Sequence, residues 1–196
     1  GLCNAYSDEV LITLTDIPTV NANVDQTICA DATGAFLAGS VTIATGGTWA
    51  TSGTGTFSPN NSVLGATYIP SDADTTAGTV TLTLTTTGNG LCQSYSDQMT
   101  VTISPAPIAN ANVDQTVCAD ITSVPLNGSV INATGGAWTT AGTGTFSPDN
   151  LTLNASYVAS TADTIAGSVT LTLTTTGNGT CNAYTDDVLI TFTTAP

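Results

Sequence analysis

The chain has 196 residues, with no Lys, Arg or His, fourteen Asp and Glu, and a net charge of −14. Nothing in it neutralises phosphate, which argues against nucleic-acid partners and against docking on anionic lipid. Only 7% of residues are charged and 41% are hydrophobic, and the apolar residues are periodic, so the chain reads as folded and Thr-coated, not as an acidic disordered tail.

Residues 1–20 lack both the basic start and the apolar core of a signal peptide, and no apolar run approaches the roughly 20 residues of a membrane helix. Gly1-Leu2-Cys3 and Tyr6-Ser7-Asp8 return as Gly90-Leu91-Cys92 and Tyr95-Ser96-Asp97. The same offset of 89 (118 − 29) relates Cys29 to Cys118, Trp49 to Trp138, Gly88 to Gly177 and Cys92 to Cys181, with no gap. Self-similarity at one fixed period is the signature of a repeat array. Residues 1–17 therefore read as the last strand of a preceding repeat, 18–106 as a first full repeat and 107–196 as a second. Pro-containing joints fall at Asp16-Ile17-Pro18 and Ser104-Pro105-Ala106-Pro107, and Ala195-Pro196 stands at the same phase. Short Pro-rich joints favour an extended, semi-rigid array.

Within the second repeat, an opening strand is predicted over 108–117, with Asn-rich irregularity, and another over 124–131. A Gly135-Gly136 turn precedes a strand starting at Trp138. Thr145-Phe146-Ser147-Pro148 follows a Gly-Thr-Gly turn. Leu151, Leu153, Ala155 and Tyr157 form one alternating set, and 162–167 reads as one helical turn. The strongest signal comes last: Val169, Leu171 and Leu173 alternate with Thr, as Val80, Leu82 and Leu84 do in the first repeat. Gly-Asn-Gly then turns the chain into a second alternating run. About seven strands with frequent turns indicate a β-sandwich. The expected cores are Trp138, Phe146, Tyr157, Leu171 and Leu173, and in the first repeat Trp49, Phe57, Tyr68, Leu82 and Leu84.

Five cysteines fit two pairings. Bonds within repeats join Cys29 to Cys92 and Cys118 to Cys181, leaving Cys3 without a partner. Bonds between neighbours join Cys3 to Cys29 and Cys92 to Cys118, leaving Cys181. The first scheme is preferred, because each bond closes a loop of about 64 residues, worth on the order of 4 kcal/mol by chain entropy. Disulfides place the chain in an oxidising, extracellular setting, and the long cysteine separations with no His argue against zinc.

Catalytic chemistry is poorly served. Without His or Lys the usual nucleophile–base triads cannot form. The carboxylate pairs Asp8-Glu9, Asp72/Asp74 and Asp186-Asp187 could serve glycoside hydrolysis. None recurs intact, however: Asp72 becomes Thr161, and Asp187 corresponds to Gln98. Asp25 and Asp31, matched by Asp114 and Asp120, are a conceivable calcium set but lack the dense Asp/Asn/Gly loop of such sites. Asp74 and Asp163 are expected to cap the helical turns. Sequons stand at Asn60, Asn127, Asn132, Asn150, Asn154 and Asn178. No residue is put forward as catalytic, cofactor-binding or metal-binding, and no cofactor is expected.

Asp-Gln-Thr-Val-Cys (114–118), Leu-Asn-Gly-Ser-Val (126–130), Ala-Thr-Gly-Gly-Ala-Trp (133–138), Gly-Thr-Gly-Thr-Phe-Ser-Pro (142–148) and the run from Ala166 to Cys181 resemble the tandem repeats of giant Bacteroidota surface proteins, of which SprB-type gliding adhesins are an example. The resemblance implies Ig-like or PKD-like sandwiches, type 9 secretion, cell-surface display and adhesion to substrata. Asp74-Thr75-Thr76 and Asp163-Thr164-Ile165 look like the Bacteroidota O-glycosylation pattern, which makes Thr75 and Thr164 candidate acceptors.

The expectation is an all-β protein of tandem Ig-like β-sandwich repeats in an extended array. It would be a non-enzymatic stalk segment of an extracellular adhesin. Its partners would be neighbouring repeats of the same chain and a surface polysaccharide or substratum, with no nucleic acid and no membrane insertion. A glycan-binding sandwich module is the alternative, and it gains if Trp49 and Trp138 are exposed on one face. Trypsin is expected to leave even the denatured chain uncut, since no Lys or Arg is present; a specific tryptic fragment on a gel would refute the composition.

Overall fold

The structure is a computed structural model that describes the whole chain except Leu2, Asn4, Thr122 and residues 194–196. The expected joint at Ala195-Pro196 lies outside the described residues. In the first repeat the strands are β1 (Thr19–Asn21), β2 (Gln26–Cys29), β3 (Ala35–Phe36), β4 (Ser40–Thr42), β5 (Gly46–Thr51), β6 (Thr56–Ser58), β7 (Thr67–Ile69), β8 (Thr79–Thr87) and β9 (Ser96–Ser104), with helix α1 (Asp72–Ala77) between β7 and β8. The second repeats the order as β10 (Ile108–Asn110), β11 (Gln115–Cys118), β12 (Val124–Pro125), β13 (Ser129–Ile131), β14 (Gly135–Thr140), β15 (Thr145–Ser147), β16 (Ser156–Val158), α2 (Thr161–Ala166), β17 (Ser168–Thr176) and β18 (Thr185–Thr193).

One layer of the first sandwich is the four-stranded sheet β2-β9-β8-β5, antiparallel except that β2 runs parallel to β9. The other layer consists of the pair β1-β4 and the sheet β3-β7-β6. The second repeat builds β11-β18-β17-β14 over β10-β13 and β12-β16-β15 in the same way. Strand β8 alternates as the sequence indicates: Val80, Leu82, Leu84 and Thr86 point into the sandwich, with Thr residues between them half-covered. Met99, Val101 and Ile103 of β9 meet them, and Trp49, Tyr68 and Leu37 complete a core that shares no residue with that of the second repeat. Phe57 and Phe146 are only half-buried. Each lies against the core Tyr of its repeat, with centroids 5.3 and 5.4 Å apart.

The predicted opening strands are each split in two, which gives nine strands per repeat among the described residues instead of about seven. Asn23 and Asn112 take positive φ (76° and 73°) between the first two strands, and their neighbours Asn21 and Asn110 accept hydrogen bonds from the backbone N–H groups of Asn23 and Asn112. The second break falls at Gly39 and Gly128. There a Cβ would come within 2.6 and 2.7 Å of the Trp49 and Trp138 rings. The alternating set predicted from Leu151 is mostly loop. Asp149 accepts from the N–H groups of Leu151 and Thr152 at 2.9 and 2.8 Å, which holds a turn and leaves Leu151 exposed.

Ile43 sits at φ 65°, where a β-branched residue is disfavoured; the equivalent Asn132 has φ 56°. Ile43→Asn is expected to raise the unfolding free energy by on the order of 1 kcal/mol, read from the urea midpoint at unchanged slope. An unchanged or lower midpoint would refute the strain.

Before Thr19 the described residues form no strand. The described residues of the strand expected over 1–17 pair with none of the strands in the sheets. Val10, Ile12 and Leu14, which correspond to the core residues Met99, Val101 and Ile103, are 84%, 75% and 89% exposed.

Candidate functional site at the repeat joint

Parallel pairing of β2 with β9 decides the cysteine chemistry. It sets Cys29 opposite Ser104, where the chain leaves the first repeat, and the Ala30 N–H donates to the Ser104 carbonyl at 2.8 Å. Cys92 lies in the loop before β9. Nine strand residues rising about 3.4 Å each separate the two by roughly 30 Å, far beyond disulfide reach. The preferred bonds Cys29–Cys92 and Cys118–Cys181 are therefore not formed, and neither are those of the rival scheme. Instead Cys29 bonds Cys181, 152 residues on, with Cα atoms 4.9 Å apart. Cys3, Cys92 and Cys118 are free thiols.

The bond spans the Ser104-Pro105-Ala106-Pro107 joint. Cys181 Sγ lies 3.9 and 3.6 Å from the carbonyl oxygens of Ser104 and Pro105. Beside it the Tyr184 hydroxyl donates to Asp31 at 2.6 Å, which raises the Tyr184 pKa by stabilising the neutral phenol against the carboxylate. Within the joint the Asn132 amide donates to the Ala106 carbonyl at 3.0 Å. Cys29, Asp31 and Cys181 also bring their sulfur and carboxylate atoms within 4.8 Å of one another. With the sulfurs bonded to each other, neither is a thiolate ligand for a metal.

The acids singled out as candidates mostly tie down backbone. Asp25 and Asp114 accept from the N–H groups of Thr100 and Leu189 at 2.8 and 2.9 Å. Asp186 accepts from the Ala111 N–H, as Asp97 does from Ala22. Asp72 is exposed while Asp74 is buried, so the two do not converge. Thr75 and Thr164 are half-buried on α1 and α2, with hydroxyls donating to the carbonyls of Ser71 and Thr161.

Sequence reasoning missed a buried carboxylate in each repeat. The helix caps are Ser71 and Ser160; Asp74 and Asp163 stand three residues on and complete capping boxes. Asp74 is 3% exposed and has no cation. It accepts from the Tyr68 hydroxyl at 2.7 Å and from the N–H groups of Ser71 and Thr54 at 3.0 and 2.9 Å. Asp163 is bound alike by Tyr157, Ser160 and Thr143. Desolvation pushes both carboxyl pKa values up, but the donated hydrogen bonds together outweigh it and hold each at about 2. The legible signal was a Tyr six residues before an Asp in the capping box.

These carboxyls ionise near 3.8 when unfolded, so their folded values are depressed. The stabilisation is complete above about pH 5 and is lost as pH falls through 3.8 toward 2. Discounted for screening, it is on the order of 1 kcal/mol per repeat. Asp74→Asn with Asp163→Asn is expected to lower stability at pH 7 and to flatten the fall between pH 5 and 2, followed by urea melts at each pH. An acid limb as steep as before would exclude these two groups as its source.

The chain matches no protein-family model and no curated protein. It is similar in structure to mouse Cadherin-23 EC22-24 at 13% identity and TM-score 0.40, over 91% of this chain and 67% of that one. Drosophila N-cadherin EC1-4 matches at 12% and 0.46, over 92% and 50%. Sidekick-1 immunoglobulin domains 1-5 match at 12% and 0.47, over 91% and 39%. The chain thus spans half the length of the second of these and about two fifths of the third. By its own sheets and separate cores it is an all-β protein of two tandem β-sandwich repeats.

Proposed function

We infer that the chain is a structural stalk segment of a large extracellular repeat adhesin that supplies reach and tension-bearing links and performs no reaction. The observation that carries this reading is the joint itself. Two sandwiches with separate cores are connected by a Pro-containing linker and, in parallel with it, by the Cys29–Cys181 bond. A disulfide fits an oxidising compartment outside the cytosol. The motif resemblance extends the reading to gliding-type adhesion, type 9 secretion and display on a Bacteroidota surface, with Thr75 and Thr164 as O-glycan acceptors and a polysaccharide or substratum as the contacted surface. Trp49 and Trp138 are 1% and 0% exposed, so neither offers the aromatic platform that favours glycan binding.

Antibodies raised against the two repeats are expected to label intact, unpermeabilised cells along projecting filaments in immunogold micrographs. Label confined to permeabilised cells would overturn the reading.

A further inference from the structure

The two repeats are related by a shift of 89 residues, and so are the surroundings of their cysteines. Cys118 ends β11 opposite Thr193 as Cys29 ends β2 opposite Ser104. The Ala119 N–H donates to the Thr193 carbonyl at 2.8 Å, the distance found for Ala30 and Ser104. Ile121 and Ala32 close the following turn on the Cys118 and Cys29 carbonyls, both at 3.0 Å. At the other end, Cys92 Sγ lies 3.8 Å from the Asp16 carbonyl and 3.7 Å from the Thr15 hydroxyl. Thr15 and Asp16 correspond to Ser104 and Pro105, the residues beside Cys181. A cavity of about 370 Å³ opens here, lined by the turn Gly88–Cys92, Thr15 and Ile43. Cys118 is thus placed as the bonded Cys29 is, and Cys92 as the bonded Cys181 is.

We propose that Cys118 and Cys92 are the two halves of further joint disulfides, each completed by an adjacent repeat of the same type. The first cysteine of every repeat bonds the second cysteine of the next. Cys118 takes the second cysteine of a following repeat, and Cys92 takes the first cysteine of a preceding one. Asp120 and Tyr95 stand where Asp31 and Tyr184 do and supply the accompanying hydrogen bond. In each bond two thiols lose two protons and two electrons to a disulfide oxidant, which leaves as two thiols.

The result is a ladder of overlapping loops. A pulling force entering at Cys92 leaves at Cys118 and crosses to the next repeat. It loads the segment between those two cysteines, which holds β9, β10 and β11, and leaves the remaining strands of both sandwiches outside the path. Val10, Ile12 and Leu14 fit the same picture: they match the core residues Met99, Val101 and Ile103 of the first repeat and are exposed.

The test lengthens the chain by one repeat. A copy of residues 108–196 follows Pro196 in frame, the protein is oxidised with oxidised glutathione, and denatured free thiols are alkylated before peptic mapping without reductant. The expected map joins Cys29 to Cys181 and Cys118 to the appended copy's second cysteine. Alkylated thiols stay at three, the number free in the 196-residue chain. Cys118→Ser should release the appended second cysteine for alkylation while the buried-Trp emission of all three repeats persists. An extension of the same kind before residue 1 tests Cys92. Alkylated Cys118, or Cys118 bonded to Cys181, overturns the ladder. The pairing rests on joint geometry and is read on purified protein, so its failure leaves the adhesin reading standing, and a failure of surface labelling leaves the pairing standing.

Discussion

Pulled between its ends, the oxidised chain is expected to lengthen far less than its 196 residues allow, and reduction is expected to release a further length on the order of 500 Å. The bond joins residues separated by 152 positions. Tension entering at the N-terminal side crosses from Cys29 to Cys181, and everything between them hangs slack as a closed loop. At about 3.3–3.6 Å per extended residue that loop holds the stated length. Within-repeat bonds would instead release two loops of about 64 residues, roughly 200 Å each. The two cases separate cleanly in single-molecule force traces taken with and without reductant. Cys29→Ser with Cys181→Ser should reproduce the reduced trace in oxidising buffer. Equal contour lengths before and after reduction would sink the joint bond. By chain entropy the same closure is worth about 5 kcal/mol against global unfolding. That figure is an upper limit, because the bond links two cores that share no residue. The bond therefore does more for extension under load than for the resting stability of either sandwich.

How far the sequence discloses this architecture depends on whether the information is local. Val80, Leu82 and Leu84 declare a half-buried strand, because period two maps directly onto the two faces of a sheet. Trp49 and Trp138 are core, as their phase suggests, although the Gly-Gly pairs before them, read as turns, open strands β5 and β14 because both glycines of each pair join the ladder. The cysteine pairing is not local. All five cysteines obey one period, so arithmetic cannot distinguish a bond within a repeat from one across a joint. What decides is the parallel pairing of β2 with β9, a long-range register that carries Cys29 to the exit end of the sheet while Cys92 stays in the loop at the opposite end. The buried acids were hidden for a related reason. A lone Asp in a capping position reads as solvated, and only the fold brings the hydroxyl of Tyr68 and the N–H of Thr54 onto Asp74. Strand number was misjudged where Asn and Gly interrupt a ladder without ending the layer.

Trp138→Ala is expected to remove about 3–5 kcal/mol from the second repeat, a large share of the roughly 5–15 kcal/mol that holds an ordinary domain. Two losses combine. The ring is fully buried against Leu173 across the β14–β17 ladder, and it fills the space over Gly128, where a Cβ would lie 2.7 Å from Cζ2. Its indole N–H donates to the Leu153 carbonyl at 3.1 Å, which the alanine leaves without that partner. The bonds by which Asn150 pins its loop to the residue-138 backbone, 2.8 and 3.1 Å in the two directions, use atoms that alanine retains, so the loop stays tied there. Gly128→Ala should be costly in the native protein and much cheaper beside Trp138→Ala, since the added methyl then enters the vacated space; a double-mutant cycle should return a coupling above about 1 kcal/mol. The remaining Trp49 reports the first repeat alone. With the joint bond reduced, its emission should change at the native denaturant concentration, while far-ultraviolet circular dichroism shows the second repeat unfolding earlier. If Trp49 instead moves down together with the second repeat in the reduced protein, the two cores are energetically one, and force would have to pass through both of them.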